Sequence, residues 1–203
     1  MTGIAEKIQR YARELPEGEV LSAKGLLHLG SRAAIDQALS RLCRSGELLR
    51  VGRGLYVAPV RSQFGGRAPK PERVVAGIAA ATGEKIAASG AASANALGLT
   101  SQVPVRSVYL TSGRSRKIHL GRQVVELKHA PSWQLNVPRG AAGEAVRALA
   151  WLGPKHASRA ATTLKRRLLP SERKAIVSYR SQMPSWLAET VSHTFREEAA
   201  RAR

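Results

Sequence analysis

From Ile4 onward the apolar positions Ile8, Tyr11, Ala12 and Leu15 recur at helical spacing, and Pro16-Glu17-Gly18 stops the run. A short extended piece at 19–21 leads to Ser22, which can cap a brief second helix through Leu29. Leu26, Leu27 and Leu29 would form its buried side, and Gly30 breaks it. Ser31 then stands at the N-cap of a third helix that runs to about Arg44 and closes at Ser45-Gly46. Its apolar positions, Ile35, Ala38, Leu39, Leu42 and Cys43, fall on one face. Two β-prone runs, 48–51 and 55–58, flank Gly52-Arg53-Gly54 and predict a hairpin with a basic tip.

Helix, helix, turn, helix and hairpin is the order of a winged helix-turn-helix, and residues 1–60 have the length of one such module. Residues 61–71, with Gly65-Gly66 and two prolines, are expected to be a linker. A second, mixed α/β domain would occupy 72–203. In it the pattern predicts helices at 73–81 and 91–97, strands at 85–88, 105–111, Arg116–Leu120 and Gln123–His129, and a tight turn at Gly121-Arg122. From Ala141 it turns helical again, with Val146, Leu149, Ala150 and Leu152 on one face. Further helices are expected at 156–168, 171–182 and 186–198, followed by the Ala/Arg-rich tail 197–203. The fold class expected is α+β, an N-terminal winged helix-turn-helix followed by a mixed α/β domain with C-terminal helices.

Charge narrows the class of partner. The 203 residues include 33 Lys+Arg against 14 Asp+Glu, a formal charge of +19, and the excess is spread almost evenly along the chain. Such an excess favours a polyanion, because each neutralised phosphate releases condensed counterions. An RNA- or ribosome-associated protein would look the same at this level. Aromatic residues make up only 4% of the chain, so stacking on unpaired bases is a poor expectation for the main binding mode. No apolar run reaches the length of a membrane span, and the first thirteen residues alternate charge with Ile, unlike a signal peptide. A cytoplasmic, soluble protein with no membrane partner is expected. The lone Cys43 excludes an internal disulfide framework.

The apolar face of the third helix leaves Arg32, Ala33, Asp36, Gln37, Ser40, Arg41 and Arg44 pointing outward. A helix fits the major groove of B-form DNA, where Arg can grip guanine and Gln can grip adenine with paired hydrogen bonds. Arg32, Gln37 and Arg41 are therefore the candidates for base-edge contacts, and Ser31, at the helix N-terminus, for a phosphate. Such a face is often merely solvated. Its place after a tight turn and before a basic hairpin favours binding. Asp36 argues the other way unless it accepts from a cytosine amino group or pairs with Arg32 or Arg41. Arg50 and Arg53 bracket the hairpin turn, with Arg61 and Arg67 just beyond. A wing of this kind can lay its tip along the backbone or in the minor groove. Tyr56 is read as core packing.

These residues carry a resemblance. The run Gly30-Ser31-Arg32-Ala33-Ala34-Ile35-Asp36-Gln37-Ala38-Leu39-Ser40-Arg41-Leu42, the Gly46-Glu47-Leu48 turn and Gly52-Arg53-Gly54-Leu55-Tyr56-Val57-Ala58-Pro59 resemble the N-terminal winged helix of AbiEi-type antitoxins. Ala96-Leu97-Gly98-Leu99-Thr100, Val108-Tyr109-Leu110-Thr111-Ser112-Gly113 and Ala148-Leu149-Ala150-Trp151-Leu152-Gly153 are similar to bacterial proteins grouped with that family. The resemblance covers most of 1–153 and stops there. It implies a DNA-binding autorepressor of a type IV toxin–antitoxin, or abortive-infection, system. Such a protein reads operator DNA, including inverted repeats, and counters a nucleotidyltransferase-like toxin without stably binding it. A toxin-binding scaffold lacking specific DNA contacts is the other reading in this class.

Nothing in the sequence calls for an enzyme, a metal or a cofactor. The five histidines, His28, His119, His129, His156 and His193, form no H-E-x-x-H pair, and only His119 and His129 fall on neighbouring predicted strands. Ser89-Gly90-Ala91-Ala92-Ser93 is a faint echo of a nucleophile elbow that helix capping explains more simply. Cys43, on the apolar face, reads as packing. Asp36 is the single Asp in the chain, and the carboxylates are too dispersed for a two-metal nuclease. Lys165-Arg166-Arg167 ends a helix, where positive charge is favoured by the dipole and phosphate contact is equally allowed. Trp133, Trp151 and Trp186 read as core or interface anchors.

Overall fold

The computed structural model describes residues 3–63, 65–102 and 106–196. It is a mixed α+β fold whose chain divides into two compact units. One comprises Met1–Ile86 with Gly113–Lys128, the other Ala87–Ser112 with His129–Arg203. The start of the 105–111 run, the end of the 186–198 helix and the 197–203 tail lie outside the described residues.

The first unit opens with α1 (Ile4–Glu14), which buries Ile8 and Ala12 and ends where Leu15 turns extended ahead of Pro16, as a residue preceding proline tends to. Strand β1 (Leu21–Ser22) follows. The brief second helix is not an α-helix: residues 23–26 are turns, and Leu27–Leu29 make a single 3₁₀ turn. The Ser22 hydroxyl does accept a hydrogen bond from the Gly25 amide at 2.9 Å, but a stretch bracketed by Gly25 and Gly30 is too short to offset helix nucleation. Leu26 is buried as expected, whereas Leu27 is 44% exposed.

Helix α2 (Arg32–Arg44) begins as the cap predicts, with the Ser31 hydroxyl accepting from the Ala34 amide at 3.3 Å. Strands β2 (Leu49–Gly52) and β3 (Leu55–Val57) pair antiparallel, and β1 adds to the far edge of β3, giving the order β1-β3-β2. Arg53 and Gly54 form the turn between β2 and β3; Gly54 takes φ +70°, a conformation that favours glycine. Ile8, Leu21, Leu26, Ile35, Leu39 and Leu48 make the core here, each worth roughly 1.5–3 kcal/mol of burial.

Residues 61–71 are not an unstructured linker. Strand β4 (Val60–Ser62) pairs antiparallel with β5 (Gly65–Arg67), and Pro71 is the first residue of α3 (Pro71–Thr82), a position where its missing N–H costs nothing. Helix α3 buries Val74, Val75 and Ile78 and belongs to the first unit, so the unit boundary does not fall at residue 72. The chain then runs through β6 (Ile86–Ala88), α4 (Gly90–Ala96) and β7 (Ser107–Thr111). It rejoins the first unit as the hairpin β8 (Arg116–Leu120) and β9 (Gln123–His129), turning at Gly121-Arg122 and burying Ile118, Leu120, Val125 and Leu127. Strand β8 lies beside β2.

The second unit is mostly helical: α4, α5 (Ser132–Leu135), α6 (Ala141–Arg167), α7 (Pro170–Ser178) and α8 (Ser185–Thr194), with a 3₁₀ turn at Arg180–Gln182. Val146, Leu149, Leu164, Ile176, Leu187, Val191 and Phe195 form its core. The break expected between two helices near residue 153 is a kink within α6, where Gly153 takes φ 72°, ψ 175° immediately before Pro154. Trp133 and Trp186 pack against the core, and the Tyr179 hydroxyl donates to the Trp133 carbonyl at 2.8 Å. Trp151 is half exposed, so it is not a core residue. Arg167, at the end of the basic cluster, donates to the carbonyls of Leu97 (2.7 Å) and Gly98 (3.0 Å), closing the C-terminal end of α4. Among the described residues, no helix is long and apolar enough to cross a membrane.

Candidate nucleic-acid interface

Helix α2 divides cleanly along its length. Ile35, Ala38, Leu39 and Leu42 are buried, while Ser31, Arg32, Ala33, Asp36, Gln37, Ser40, Arg41 and Arg44 are all exposed. The i, i+3, i+4 spacing of the apolar set fixes this face, because it forces the intervening residues to the other side. Of the two arginines that could neutralise Asp36, Arg32 does so: its Nε lies 2.9 Å from Asp36 Oδ2, one turn away, with both side chains about half exposed. Gln37, Arg41 and Arg44 have no hydrogen-bond or ion-pair partner for their side chains among the described residues.

Downstream, Arg53 sits exposed at the tip of the β2–β3 turn and is likewise unpaired among the described residues. Arg50 is exposed on β2 opposite Tyr56, and its Nε donates to the Gly52 carbonyl at 3.2 Å, bracing the bulge that shifts register between Arg50 and Gly52. Tyr56 itself is buried, and burial pushes its hydroxyl pKa up.

Arg61 and Arg67, expected among the phosphate contacts, are instead engaged inside the first unit. Arg61 on β4 donates to the Glu47 carboxylate, which also receives Gln9 and, at 3.5 Å, Arg13. Arg67 on β5 donates to Glu17 Oε1 at 2.9 Å, and the same oxygen accepts from the Lys70 amide at 2.9 Å. These bonds hold both carboxyls below the ordinary glutamate range: Arg61 and then Gln9 lower Glu47, Arg67 and then the Lys70 amide lower Glu17. Sequence reasoning missed both carboxylates, since Glu47 lies 14 residues from Arg61 and Glu17 lies 50 from Arg67. No local pattern carries such pairs. Among the described residues, the cations of the candidate set without an ion pair are therefore Arg41, Arg44, Arg50 and Arg53, of which Arg50 donates to a backbone carbonyl.

The side chains weighed for catalysis take structural places. Cys43 is half-buried, and desolvation raises its thiol pKa, the opposite of an activated nucleophile. Ser89 caps α4, accepting from the Ala92 amide at 3.4 Å. His119 pairs in register with Val124, so it does not face His129 across the hairpin. Among the described residues, no three His, Cys, Asp or Glu side chains come together in a metal-holding group.

Comparison with known proteins gives two matches. A family model described as a family of unknown function, DUF6088, matches residues 4–176. The crystal structure of the RV2827C protein from Mycobacterium tuberculosis shares the fold at a TM-score of 0.57 and 15% identity. That likeness covers 98% of this chain and 79% of the mycobacterial one. No curated protein matches.

Proposed function

The chain belongs to the DUF6088 family, whose function is unknown, and on that footing we propose that it is a sequence-specific DNA-binding protein that represses its own operon. In this reading residues 1–60 act as a winged helix-turn-helix. Helix α2 enters the major groove, and the β2–β3 turn lays Arg53 on the backbone or in the minor groove. The observation that carries the reading is the exposed, unpaired trio Gln37, Arg41 and Arg44 on a helix capped at Ser31 and followed by an arginine-tipped hairpin. The element order and the sheet order β1-β3-β2 are compatible with it. A formal charge of +19 supplies the non-specific attraction that operator search requires.

The likeness of residues 30–42 and 52–59 to AbiEi-type antitoxins extends the proposal to autorepression of a toxin–antitoxin operon. The linked gene product would then be a nucleotidyltransferase-like toxin. The decisive experiment is gel-shift competition at ~150 mM salt between the duplex upstream of the gene and structured RNA, using the wild type and an Arg32/Gln37/Arg41 triple alanine variant. Preference for the duplex, lost in the triple variant, is expected. Unchanged duplex affinity in that variant would falsify the assignment of α2, and preference for RNA would overturn the DNA reading.

A further inference from the structure

Trp151 lies on α6 just before the kink, 50% exposed, and one turn earlier on the same helix stands Arg147. Four residues apart, the two side chains share a helix face about 6 Å apart along the axis. Arg147 is half-buried, and its Nε is buried without a hydrogen-bond partner among the described residues. Burial lowers its pKa, an effect opposed by Glu144. The buried Nε is out of a ligand's reach, so an acceptor from outside would meet the terminal guanidinium nitrogens, which have no partner among the described residues.

Helix α4 presses on the root of both residues. A Cβ added at Gly90 would come within 2.3 Å of the Trp151 Cβ and 2.5 Å of the Arg147 carbonyl oxygen. That approach fixes where the two side chains leave the helix. One turn along α4 from Gly90, the buried Ser93 hydroxyl is also without a partner among the described residues.

We propose that this α4–α6 face of the second unit binds a nucleoside phosphate, its base stacking on the Trp151 indole and its phosphate accepting from the Arg147 guanidinium. An open indole face is a stacking platform for any base, and Arg is the residue best suited to hold phosphate oxygens. The spacing along the helix suits a base and its own phosphate. The bases of an intact duplex are already stacked, so this site takes either a free nucleotide or an unpaired nucleotide within a strand. It belongs to the second unit and α2 to the first, and its failure leaves the reading of the α2 face untouched.

The test uses the full chain and isothermal titration calorimetry. The probes are adenosine monophosphate, adenosine, inorganic phosphate and a short oligothymidylate, and the variants are Trp151→Ala, Trp151→Phe and Arg147→Gln. Circular dichroism verifies that each variant is folded. Saturable binding of the monophosphate or of the oligonucleotide is expected, weakened about tenfold or more by Trp151→Ala and largely kept by Trp151→Phe. Arg147→Gln should weaken the monophosphate, the oligothymidylate and any binding of inorganic phosphate, and leave adenosine unaffected. Binding of the monophosphate without the strand identifies a free nucleotide as the source, and the reverse identifies a single strand. No saturable binding of either probe overturns the proposal, as do affinities unchanged by both Trp151→Ala and Arg147→Gln.

Discussion

Arg32 and Asp36 stand one turn apart on α2 with Nε 2.9 Å from Oδ2, so the chain's single aspartate holds the first arginine of the exposed face. An exposed i, i+4 pair of this kind stabilises a helix by only about 0.3–0.5 kcal/mol. Its larger effect would be to subtract one cation from the surface offered to DNA. Asp36→Asn should therefore raise duplex affinity and steepen the salt dependence by about one unit, with little change in melting temperature. Salt-titrated fluorescence anisotropy reads this directly. An unchanged slope would mean that Arg32 stays away from the phosphates.

The unpaired residues of α2 and of the turn should separate by the kind of loss they produce. Replacing Arg41 or Gln37 with Ala is expected to cost on the order of 1–3 kcal/mol at the operator and to relax base preference. Replacing Arg53 should weaken all sequences alike and make the salt slope shallower by about one unit. Footprinting across a set of operator variants distinguishes the two patterns. Arg61→Ala, by contrast, should lower thermal stability more clearly than it lowers DNA affinity, because its charge is already satisfied by Glu47.

Glu17 and Glu47 give the first unit a defined acid limb. Both carboxyls are held below their ordinary value of 4.5 in the folded chain. A group lowered on folding contributes its stability above the unfolded value and loses it as pH falls through the folded one. Through these two groups the melting temperature should thus not vary with pH near neutrality, where their contribution is fully present, and should fall below about pH 4.5. In Glu47→Gln the acid limb should flatten while the neutral melting temperature drops. Thermal unfolding followed from pH 7 to pH 3 checks both, and an equally steep acid limb in the variant would rule Glu47 out as its source.

Gly153 occupies a backbone region that is essentially closed to residues with a side chain, at φ 72° and ψ 175°. Gly153→Ala should cost roughly 1–3 kcal/mol, visible as a lowered melting temperature. Space is not the cause, since a Cβ there would meet nothing within 4 Å. A stability equal to wild type would show that α6 straightens at no cost. As a core reference, Leu39→Ala should lose about 2–5 kcal/mol.

What could be read from the sequence was local. The Ser31 cap, the apolar spacing from Ile35 to Leu42 and the Arg53-Gly54 turn each rest on neighbouring residues, and α2 and the β2–β3 hairpin lie within a residue or two of where they were expected. The exposure of the candidate face followed from the same spacing. Where tertiary packing decides, the reading fell short. Leu27 looked apolar enough to be buried, yet a 3₁₀ turn aims it outward. The glycines and prolines of 61–71 suggested a tether, yet the segment holds a hairpin and the first residue of α3. Arg61 and Arg67 find their carboxylates through contacts distant in sequence, and Trp151 is exposed although two other tryptophans of similar context pack inward.

The interleaved path of the chain carries one more consequence. The backbone leaves the first unit after Ile86 and comes back at Gly113 to deliver the β8–β9 hairpin, which sits alongside β2. A gene cut after codon 86 would strip that neighbour from the first unit and strand it on the fragment that carries the second. Neither unit is thus a single uninterrupted stretch of chain, and cutting the backbone at one point cannot separate the two intact.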